Sequence, residues 1–290
     1  MSGAVGSAHP PSRRIVVAFR DGERGPAILR WSAERARRTG QSVTLVHAIP
    51  DPSLVLPVAA GGTPYRSLVD AARQLMDDEE ARAELEYPDV RFASTVHCGE
   101  IVDALLGIAE NAALVVVGAD RVDRRTGEYL GSVGHQVALG SACPVVVLPR
   151  DAQALDGGSG GVVVGVDGSP ESHAALRVAV VEADRSGHAL TVVTSSKGTE
   201  TADDGPTGDA ASQELADMLD ALRASYPEVR ISRVTDQERA PDEALKHRAS
   251  GASLLVIGRH GRGARSGIQL GSVTHKLLLD PQCPVMVITG

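Results

Sequence analysis

Aromatic residues are scarce in this chain of 290 residues, where Phe, Trp and Tyr together make up 2% of the sequence. The apolar core must therefore be built from Val, Leu, Ile and Ala, because hydrophobic residues still account for 42%. This composition suits buried parallel strands, which carry branched aliphatic side chains on both faces. The length predicts about two domains at ~100–200 residues each. Domains of that size fold without disulfides or metals.

Cysteine is equally sparse. The chain has three cysteines, Cys98, Cys143 and Cys283, which form no short-range metal-binding pattern, and their odd number argues against a disulfide framework. Cys143 and Cys283 each precede a proline at the start of a predicted strand, where small buried thiols are common. We therefore expect structural rather than redox roles for them.

A leader sequence, long apolar runs and excess positive charge are also missing. The first ten residues lack a basic segment followed by an apolar one. No apolar run approaches the ~20 residues that span a bilayer. The formal net charge of −8 gives no electrostatic attraction to nucleic acid or to an anionic membrane. We therefore expect a cytoplasmic protein with neither of these partners.

The sequence contains an internal repeat. Residues 118–148 align without a gap to residues 258–288, and thirteen of these positions are identical. Further upstream, residues 15–44 align with residues 162–191, again without a gap. Two copies of one unit therefore make up most of the chain.

The repeat sets the expected domain boundaries. We place the first domain at residues 13–149 and the second at residues 162–290. Residues 150–161 are rich in glycine and predict a flexible linker. Residues 1–12 are expected to form a disordered tail.

Strands alternate with helical stretches in each copy. In the second copy the apolar patterns predict strands at 162–166, 189–195, 229–234, 253–258 and 284–288, with helices between them. The first of these helices should end at Gly187, a typical helix C-cap. Such alternation predicts right-handed βαβ units and a parallel sheet. Sheets of this kind bind ligands beyond the carboxyl ends of their strands.

A glycine-rich segment directly follows the fourth strand of the second copy. Gly258, Gly261, Gly271 and Ser272 form the pattern G-x-x-G-x9-G-S. We expect Gly258 and Gly261 to adopt positive φ and to let the backbone approach phosphate oxygens without a Cβ atom in the way. The spacing alone is also compatible with an ordinary glycine-rich surface loop.

The segment leads into the last helix of the copy. Ser272 is the expected N-cap, and the unpaired amides of the first turn, together with the helix dipole, make an anion site. Arg259, Arg262 and Arg265 add positive charge to this segment of an otherwise acidic chain.

This arrangement resembles the ATP-binding universal stress protein family in its tandem form. The resemblance rests on the G-x-x-G-x9-G-S pattern, on the CPVxV motif that follows the last helix, and on the start VVVGVDGS of the second copy. It covers nearly the whole chain except the tail and the linker. It implies an α/β fold of two tandem five-stranded, doubly wound parallel-sheet domains of the adenine nucleotide alpha hydrolase type. It also implies that the two domains pair through their last strands, and we expect a homodimer of chains.

The resemblance assigns roles to residues of the second copy. The triphosphate of ATP would be bound by Gly258, Gly261, Gly271, Ser272 and the amides around Val273 and Thr274. Adenosine would be contacted by Val166 and Asp167, and adenine by a backbone group near Thr194. His260 and Arg262 are included in the site because they lie within the loop. Magnesium would accompany the phosphates and be bound through them.

The first copy departs from the pattern. Arg121 stands in place of Gly261, and Arg20 stands in place of Asp167. Asp120 and Asp123 bring negative charge to the place where phosphates would lie. We therefore expect weak or no ATP binding in the first domain.

Two histidines occupy equivalent positions in the last helix of each copy. His135 and His275 lie one turn inside that helix. They could face the phosphates, or they could be ordinary residues of the helix surface, which is the interpretation that we favour.

The sequence favours a nucleotide-binding regulatory protein of the stress response with little or no turnover. The phosphate loop is not accompanied by an obvious general base or nucleophile, although slow ATP hydrolysis stays open. A regulatory protein partner is expected, and its identity is open, as is the choice among ATP, AMP and cyclic AMP. An adenylating or ATP-hydrolysing enzyme of a related fold is a second hypothesis. Residues 167–170 (DGSP) have only a partial likeness to the SGGxDS-like loop of such enzymes, and residues 258–261 (GRHG) do not form an HxGH motif. A nucleotide-free scaffold for protein contacts is the third.

Overall fold

The computed structural model describes residues 14–20, 22, 25–51, 63–119, 133–151, 160–195, 207–261 and 270–289. The expected tail and most of the expected linker lie outside these residues. None of the helices in the described part of the chain combines the length and the apolar character needed to cross a membrane.

Strands and helices alternate through both halves of the chain. The first half contains β1 (Arg14–Ala18), α1 (Gly25–Thr39), β2 (Val43–Ile49), α2 (Thr63–Glu86), β3 (Phe92–Cys98), α3 (Ile101–Ala109), β4 (Ala112–Gly118), α4 (Val133–Gly140) and β5 (Val145–Leu148). The second half contains β6 (Val162–Gly165), α5 (Pro170–Ser186), β7 (Leu190–Ser195), α6 (Thr207–Ser225), β8 (Ile231–Asp236), α7 (Pro241–Ala249), β9 (Leu254–Gly258), α8 (Ser272–Leu279) and β10 (Val285–Ile288).

The ten strands form one sheet in the order β3-β2-β1-β4-β5-β10-β9-β6-β7-β8. Neighbouring strands are parallel within each half, so each half is a five-stranded, doubly wound unit. Strands β5 and β10 are antiparallel and join the two units. The predicted fold class is confirmed, and the expected pairing of the last strands within one chain is present.

Helices cover both faces of the sheet. Apolar residues of α1, α2, α5 and α6 pack on one face, and those of α3, α4, α7 and α8 pack on the other. Consecutive strand residues therefore enter different cores: Val116 lies in the first and Val115 in the second, and both are fully buried. Burial on both faces explains why the strands consist of Val, Leu and Ile rather than of alternating apolar and polar residues.

A pseudo-twofold axis relates the two halves. Val146 of β5 pairs with Met286 of β10, and these two residues hold equivalent positions in the repeat. The repeat is also visible in strand register. Ile15 pairs with Val43 in the first half, and Val162 pairs with Leu190 in the second.

Helix α5 shows how local sequence sets an element beside the predicted site. Ser169 is its N-cap, and the Ser169 side chain accepts a hydrogen bond from the Ser172 amide. Pro170 occupies the first helical position, where the absence of an amide hydrogen does no harm. Gly187 ends the helix in the left-handed region with a φ of 67°, which confirms the expected C-cap.

Candidate functional site

The predicted site residues of the second half lie at the carboxyl ends of three adjacent strands. Asp167 follows β6, Thr194 lies near the end of β7, and Gly258 ends β9. Strand β6 is hydrogen-bonded between β7 and β9, where the order of the strands reverses. Doubly wound sheets bind ligands at this switch point. The structure thus brings together these strand ends, whereas Arg262 lies outside the described residues.

Gly261 packs directly against Asp167. A Cβ atom built on Gly261 would overlap with Oδ2 of Asp167. Neither Gly261 nor Gly258 has a positive φ, so the expectation of left-handed backbone at these two positions is wrong. At position 261 the end of the Asp167 side chain thus occupies the space that a Cβ atom would take.

The other two glycines of the pattern also permit close packing. A Cβ atom on Gly258 would lie 3.0 Å from the Cβ atom of Glu171, and one on Gly271 would lie 3.3 Å from the carbonyl oxygen of Arg259. Gly258 thus allows the end of β9 to pack closely against the start of α5, and Gly271 allows the start of α8 to pack closely against the loop. Both distances are shorter than ordinary van der Waals contact, so side chains at these positions would push the loop outward.

Helix α8 starts one residue earlier than the sequence suggested. Gly271, with a φ of −55°, is the N-cap, and no side chain caps the helix. Ser272 is the first helical residue and is exposed, so its expected role as the N-cap is wrong. The buried hydroxyl of Thr274 donates to the carbonyl oxygen of Gly258 at 2.8 Å, which ties the helix to the end of β9. The first-turn amides, including those of Val273 and Thr274, have no carbonyl partner within the helix.

Asp167 is held by the turn that leads into α5. Its Oδ1 atom accepts hydrogen bonds from the Ser169 amide at 2.9 Å and from the Ser169 hydroxyl at 2.6 Å. This turn fixes the carboxylate while Oδ2 faces Gly261. The carboxyl ends of β6, β7 and β9 border a crevice at the edge of the sheet. Val166, one residue before Asp167, is buried in the core, so its side chain does not line this crevice.

Glu171 is a site residue that sequence reasoning missed. Its Oε2 atom accepts a hydrogen bond from the His260 amide at 2.5 Å, and its Oε1 atom lies 3.2 Å from Nδ1 of His260. A carboxylate therefore holds a backbone amide of the glycine-rich loop. The available signal was an acidic residue in the first turn of α5, but that pattern is usually explained by the helix dipole.

The end of β7 is joined to the end of β8 and to the loop between β8 and α7. The hydroxyls of Thr194 and Thr235 lie 3.0 Å apart, and the Ser195 hydroxyl donates to the carbonyl oxygen of Arg239 at 2.9 Å. Asp236 closes this loop by accepting the Arg239 amide at 2.8 Å, and this hydrogen bond is the main reason why the pKa of Asp236 is lowered. Hydrogen bonds among the end of β7, the end of β8 and the loop that follows β8 therefore hold the side of the crevice nearest Thr194 in place.

The lowered pKa of Asp236 predicts a pH effect on stability. An aspartate whose folded pKa is depressed stabilises the protein above its unfolded pKa of ~3.9, and that stabilisation is lost as the pH falls through the folded pKa. We expect Asp236→Asn to lower the free energy of unfolding at pH 7 and to reduce its dependence on pH below about 5. Urea unfolding over this pH range measures both effects. Asp89→Asn, at an exposed turn, is the control, and an unchanged acid limb in Asp236→Asn would contradict the assignment.

Comparison with known proteins identifies the family. The sequence model of the universal stress protein family matches residues 11–149 and 160–289. The chain belongs to the universal stress protein family. Both halves match the same family separately, which agrees with the repeat in the sequence and with the two equivalent units in the sheet.

Relatives of similar length support the tandem arrangement. Universal stress protein Rv2623 of Mycobacterium tuberculosis is 33% identical, and the match covers 94% of this chain and 95% of the relative. Universal stress protein Rv2005c of the same species is 35% identical over 64% of this chain and 65% of its own length. The crystal structure of a universal stress protein from Archaeoglobus fulgidus has a TM-score of 0.73 at 16% identity, over 95% of this chain and 98% of that one. That last likeness concerns the fold.

One arginine of the glycine-rich loop contributes to the contact between the two universal stress protein domains. The Arg259 guanidinium donates to the carbonyl oxygen of Ser141, which precedes β5 in the first domain. Burial lowers the pKa of Arg259. In the structure, the Arg259 guanidinium thus contacts the first domain, whereas the sequence suggested only that it adds positive charge to the loop. Arg265 lies outside the described residues.

His135 and His275 also contribute to the domain contact. Their rings pack edge to face with centroids 4.8 Å apart, and Nε2 of His135 lies 3.3 Å from the carbonyl oxygen of His275. They are therefore partly buried partners across the pseudo-twofold axis. Neither of the two roles considered from the sequence, facing the phosphates or lying on the helix surface, describes them.

The first domain has different side chains at the equivalent strand ends. Phe19 replaces Val166 and is buried, and Arg20 replaces Asp167. His47 stands in place of Thr194, and its Nδ1 atom lies 3.1 Å from the carbonyl oxygen of Phe19. The loop positions that differ most, including Asp120, Arg121 and Asp123, lie outside the described residues. At the strand ends of the first domain, an arginine and a histidine thus replace the aspartate and the threonine of the second domain.

Two of the three cysteines occupy the buried environments expected for structural residues. Cys143 and Cys283 are buried before β5 and β10, and burial raises the pKa of the Cys283 thiol to about 12. Cys98 is exposed at the end of β3. A thiol with a raised pKa is rarely a thiolate at neutral pH, so Cys283 is a poor nucleophile.

Proposed function

We propose that the second domain binds an adenine nucleotide, with ATP and magnesium as the expected form, and that the bound nucleotide regulates contacts with a partner protein in the cytoplasm. The observation that carries the proposal is the convergence of Asp167, the loop Gly258–Gly261 and the start of α8 at the switch point of the sheet. Membership of the universal stress protein family supports it, because the resemblance in sequence implies this ligand.

The described residues fit a triphosphate at the start of α8. The first-turn amides from Ser272 to Thr274 and the helix dipole favour an anion there. Gly261 lets the loop pack against Asp167, and Gly271 lets the start of α8 pack against the loop. Asp167 and Thr194 lie at neighbouring strand ends, where the nucleoside would extend away from the phosphates. A divalent ion would be held through phosphate oxygens; in the described residues no group of three or more His, Cys, Asp or Glu side chains is placed to hold one.

A regulatory role fits this site better than rapid catalysis. His260 is the candidate general base in the described part of the loop, and Glu171 contacts both its amide and its ring nitrogen. A general base needs free access to the proton that it abstracts. We therefore propose that turnover is slow or absent, and hydrolysis near ~10 per second would contradict this.

The test is calorimetric titration of ATP-Mg into nucleotide-free protein. We expect one site per chain, because Arg20 and Phe19 change the equivalent crevice of the first domain. Two sites would overturn the asymmetry between the domains. No heat of binding would overturn the proposed function and would favour the scaffold hypothesis. GTP-Mg is the matched ligand, because it carries the same phosphates on a different base, and weaker binding is expected if adenine is recognised.

The contact between Glu171 and His260 predicts a gain of affinity. Replacing Glu171 by glutamine removes a negative charge beside the bound phosphates and weakens the hold on the His260 amide. We expect ATP-Mg to bind about three- to tenfold more tightly to Glu171→Gln than to the wild type. Glu228→Gln, an exposed change just before β8 and hence at the opposite edge of the sheet, is the control. Equal or weaker binding to Glu171→Gln would contradict the prediction.

A further inference from the structure

The two domains share a buried ion pair between helices α1 and α5. Nη1 of Arg35 lies 2.5 Å from Oε2 of Glu182, and Nη2 lies 2.7 Å from Oε1. Each side chain is only 9% exposed. The guanidinium also lies over the ring of Trp31, with 5.8 Å between Cζ and the ring centroid. A buried bidentate pair of this kind is strongly oriented.

Arg35 and Glu182 hold the same position in the two domains. The ungapped alignment of residues 15–44 with residues 162–191 places Arg35 opposite Glu182. The strand registers on either side of β1 and β6 keep the same correspondence. A residue that touches its own equivalent lies beside the pseudo-twofold axis. Arg35 and Glu182 therefore meet at the axis on one face of the sheet, as His135 and His275 do on the other.

We infer that this pair determines which domains can associate with each other. If two first domains associated through the same surface, Arg35 would meet a second Arg35. If two second domains associated, Glu182 would meet a second Glu182. A buried charge that faces a like charge is strongly unfavourable, whereas the mixed pairing is satisfied. The surface thus fits a first domain against a second domain and discourages pairing of like domains.

The neighbouring charges make the repulsion between two first domains stronger than the repulsion between two second domains. Arg38 and Arg185 are also equivalent residues, and Nη1 of Arg185 lies 3.7 Å from Oε1 of Glu182. Glu34 lies near Arg38 and offsets part of its charge. Arg38 and Glu34 are exposed and Arg185 is half exposed, so water screens them. If two second domains paired, the two Arg185 side chains would offset part of the repulsion between the two Glu182 carboxylates. If two first domains paired, the two Arg38 side chains would add to the repulsion between the two Arg35 guanidinium groups.

Charge reversal in the full-length chain tests the inference first through stability. Arg35→Glu places two glutamates at the axis, and Glu182→Arg places two arginines there. We expect both single variants to melt roughly 5–15 °C below the wild type, with Glu182→Arg the lower of the two. The reversed double variant Arg35→Glu/Glu182→Arg should recover most of the loss. A double variant as unstable as the sum of the singles would overturn the inference.

A mixing experiment then separates pairing specificity from stability. Isotopically labelled Arg35→Glu chains and unlabelled Glu182→Arg chains are refolded together, and the two-chain particles are weighed by native mass spectrometry. Each variant supplies the charge that the other lacks, so we expect mixed particles well above the share given by random assortment. Labelled and unlabelled wild-type chains set that random share. Mixed particles at the random share, or none, would show that the pair does not select partners. Neither result depends on nucleotide binding.

Discussion

Replacing Gly261 by glutamate is expected to weaken ATP-Mg binding by at least about 100-fold. A Cβ atom at this position overlaps with Oδ2 of Asp167, so the loop or the aspartate must move away from its place beside β6. The new carboxylate also brings negative charge to the loop that would face the phosphates. Titration calorimetry against the wild type measures the loss.

Two further variants show whether this loss arises at the site. Gly107→Glu is the matched control, because Gly107 is exposed on α3 and a Cβ atom there meets no atom within 4 Å. It should bind ATP-Mg as the wild type does. Gly261→Ala introduces the Cβ atom without the charge, and an intermediate affinity is expected because the end of the Asp167 side chain can turn aside. Wild-type affinity in Gly261→Glu would remove the loop from the nucleotide site.

The second large effect is expected from Thr274→Val. The Thr274 side chain is buried, and its hydroxyl donates to the carbonyl oxygen of Gly258. Valine keeps the shape but leaves that carbonyl without its donor, at a cost of ~1–3 kcal/mol. For a chain with domains of this size we expect the melting temperature to fall by roughly 3–8 °C. Nucleotide affinity should fall as well, because this bond joins α8 to the end of β9.

The controls for Thr274→Val distinguish a loss of the hydrogen bond from a general effect of the substitution. Thr95→Val makes the same chemical change at an exposed position of the edge strand β3 and should leave melting and binding nearly unchanged. Thr274→Ser retains the hydroxyl and should keep more affinity than Thr274→Val. If the serine and valine variants bind ATP-Mg equally well, the hydroxyl does not matter for the site.

Much of the fold follows from patterns that are local in the sequence. Buried runs such as β9 and β10 are short, aliphatic and followed by turns, so their positions were predicted within one or two residues. Gly187 was recognised because a helix C-cap is defined by neighbours in the chain. The pairing of β5 with β10 was expected from the family resemblance, and the structure shows its register.

The features that were mispredicted depend on contacts between distant residues. Gly258 and Gly261 were expected to adopt positive φ, which neither does. The side chains of Glu171 and Asp167 instead occupy the space that Cβ atoms at these two positions would take. Ser272 was expected to cap α8, but the hydrogen bond from the Gly271 amide to the Arg259 carbonyl fixes the helix start one residue earlier. These neighbours are known only once the chain is folded.

Contacts across the domain boundary were the hardest to foresee. Arg35 and Glu182 are far apart in the chain, and each alone resembles an ordinary charged residue of an amphipathic helix. Their equivalence in the repeat was visible in the alignment, but only the position of the axis shows that they touch. The contact between Arg259 and Ser141 was missed for the same reason, since no local pattern indicates it.

Because β5 and β10 are antiparallel, the strands of the two domains end at opposite long sides of the common sheet. All strands of the first domain point toward one long side of the common sheet, and all strands of the second point toward the other. The two crevices therefore open in opposite directions. A bulky protein bound over the crevice of the second domain would leave the opposite side of the sheet uncovered. One molecule could therefore bind two partner proteins without either obstructing the other.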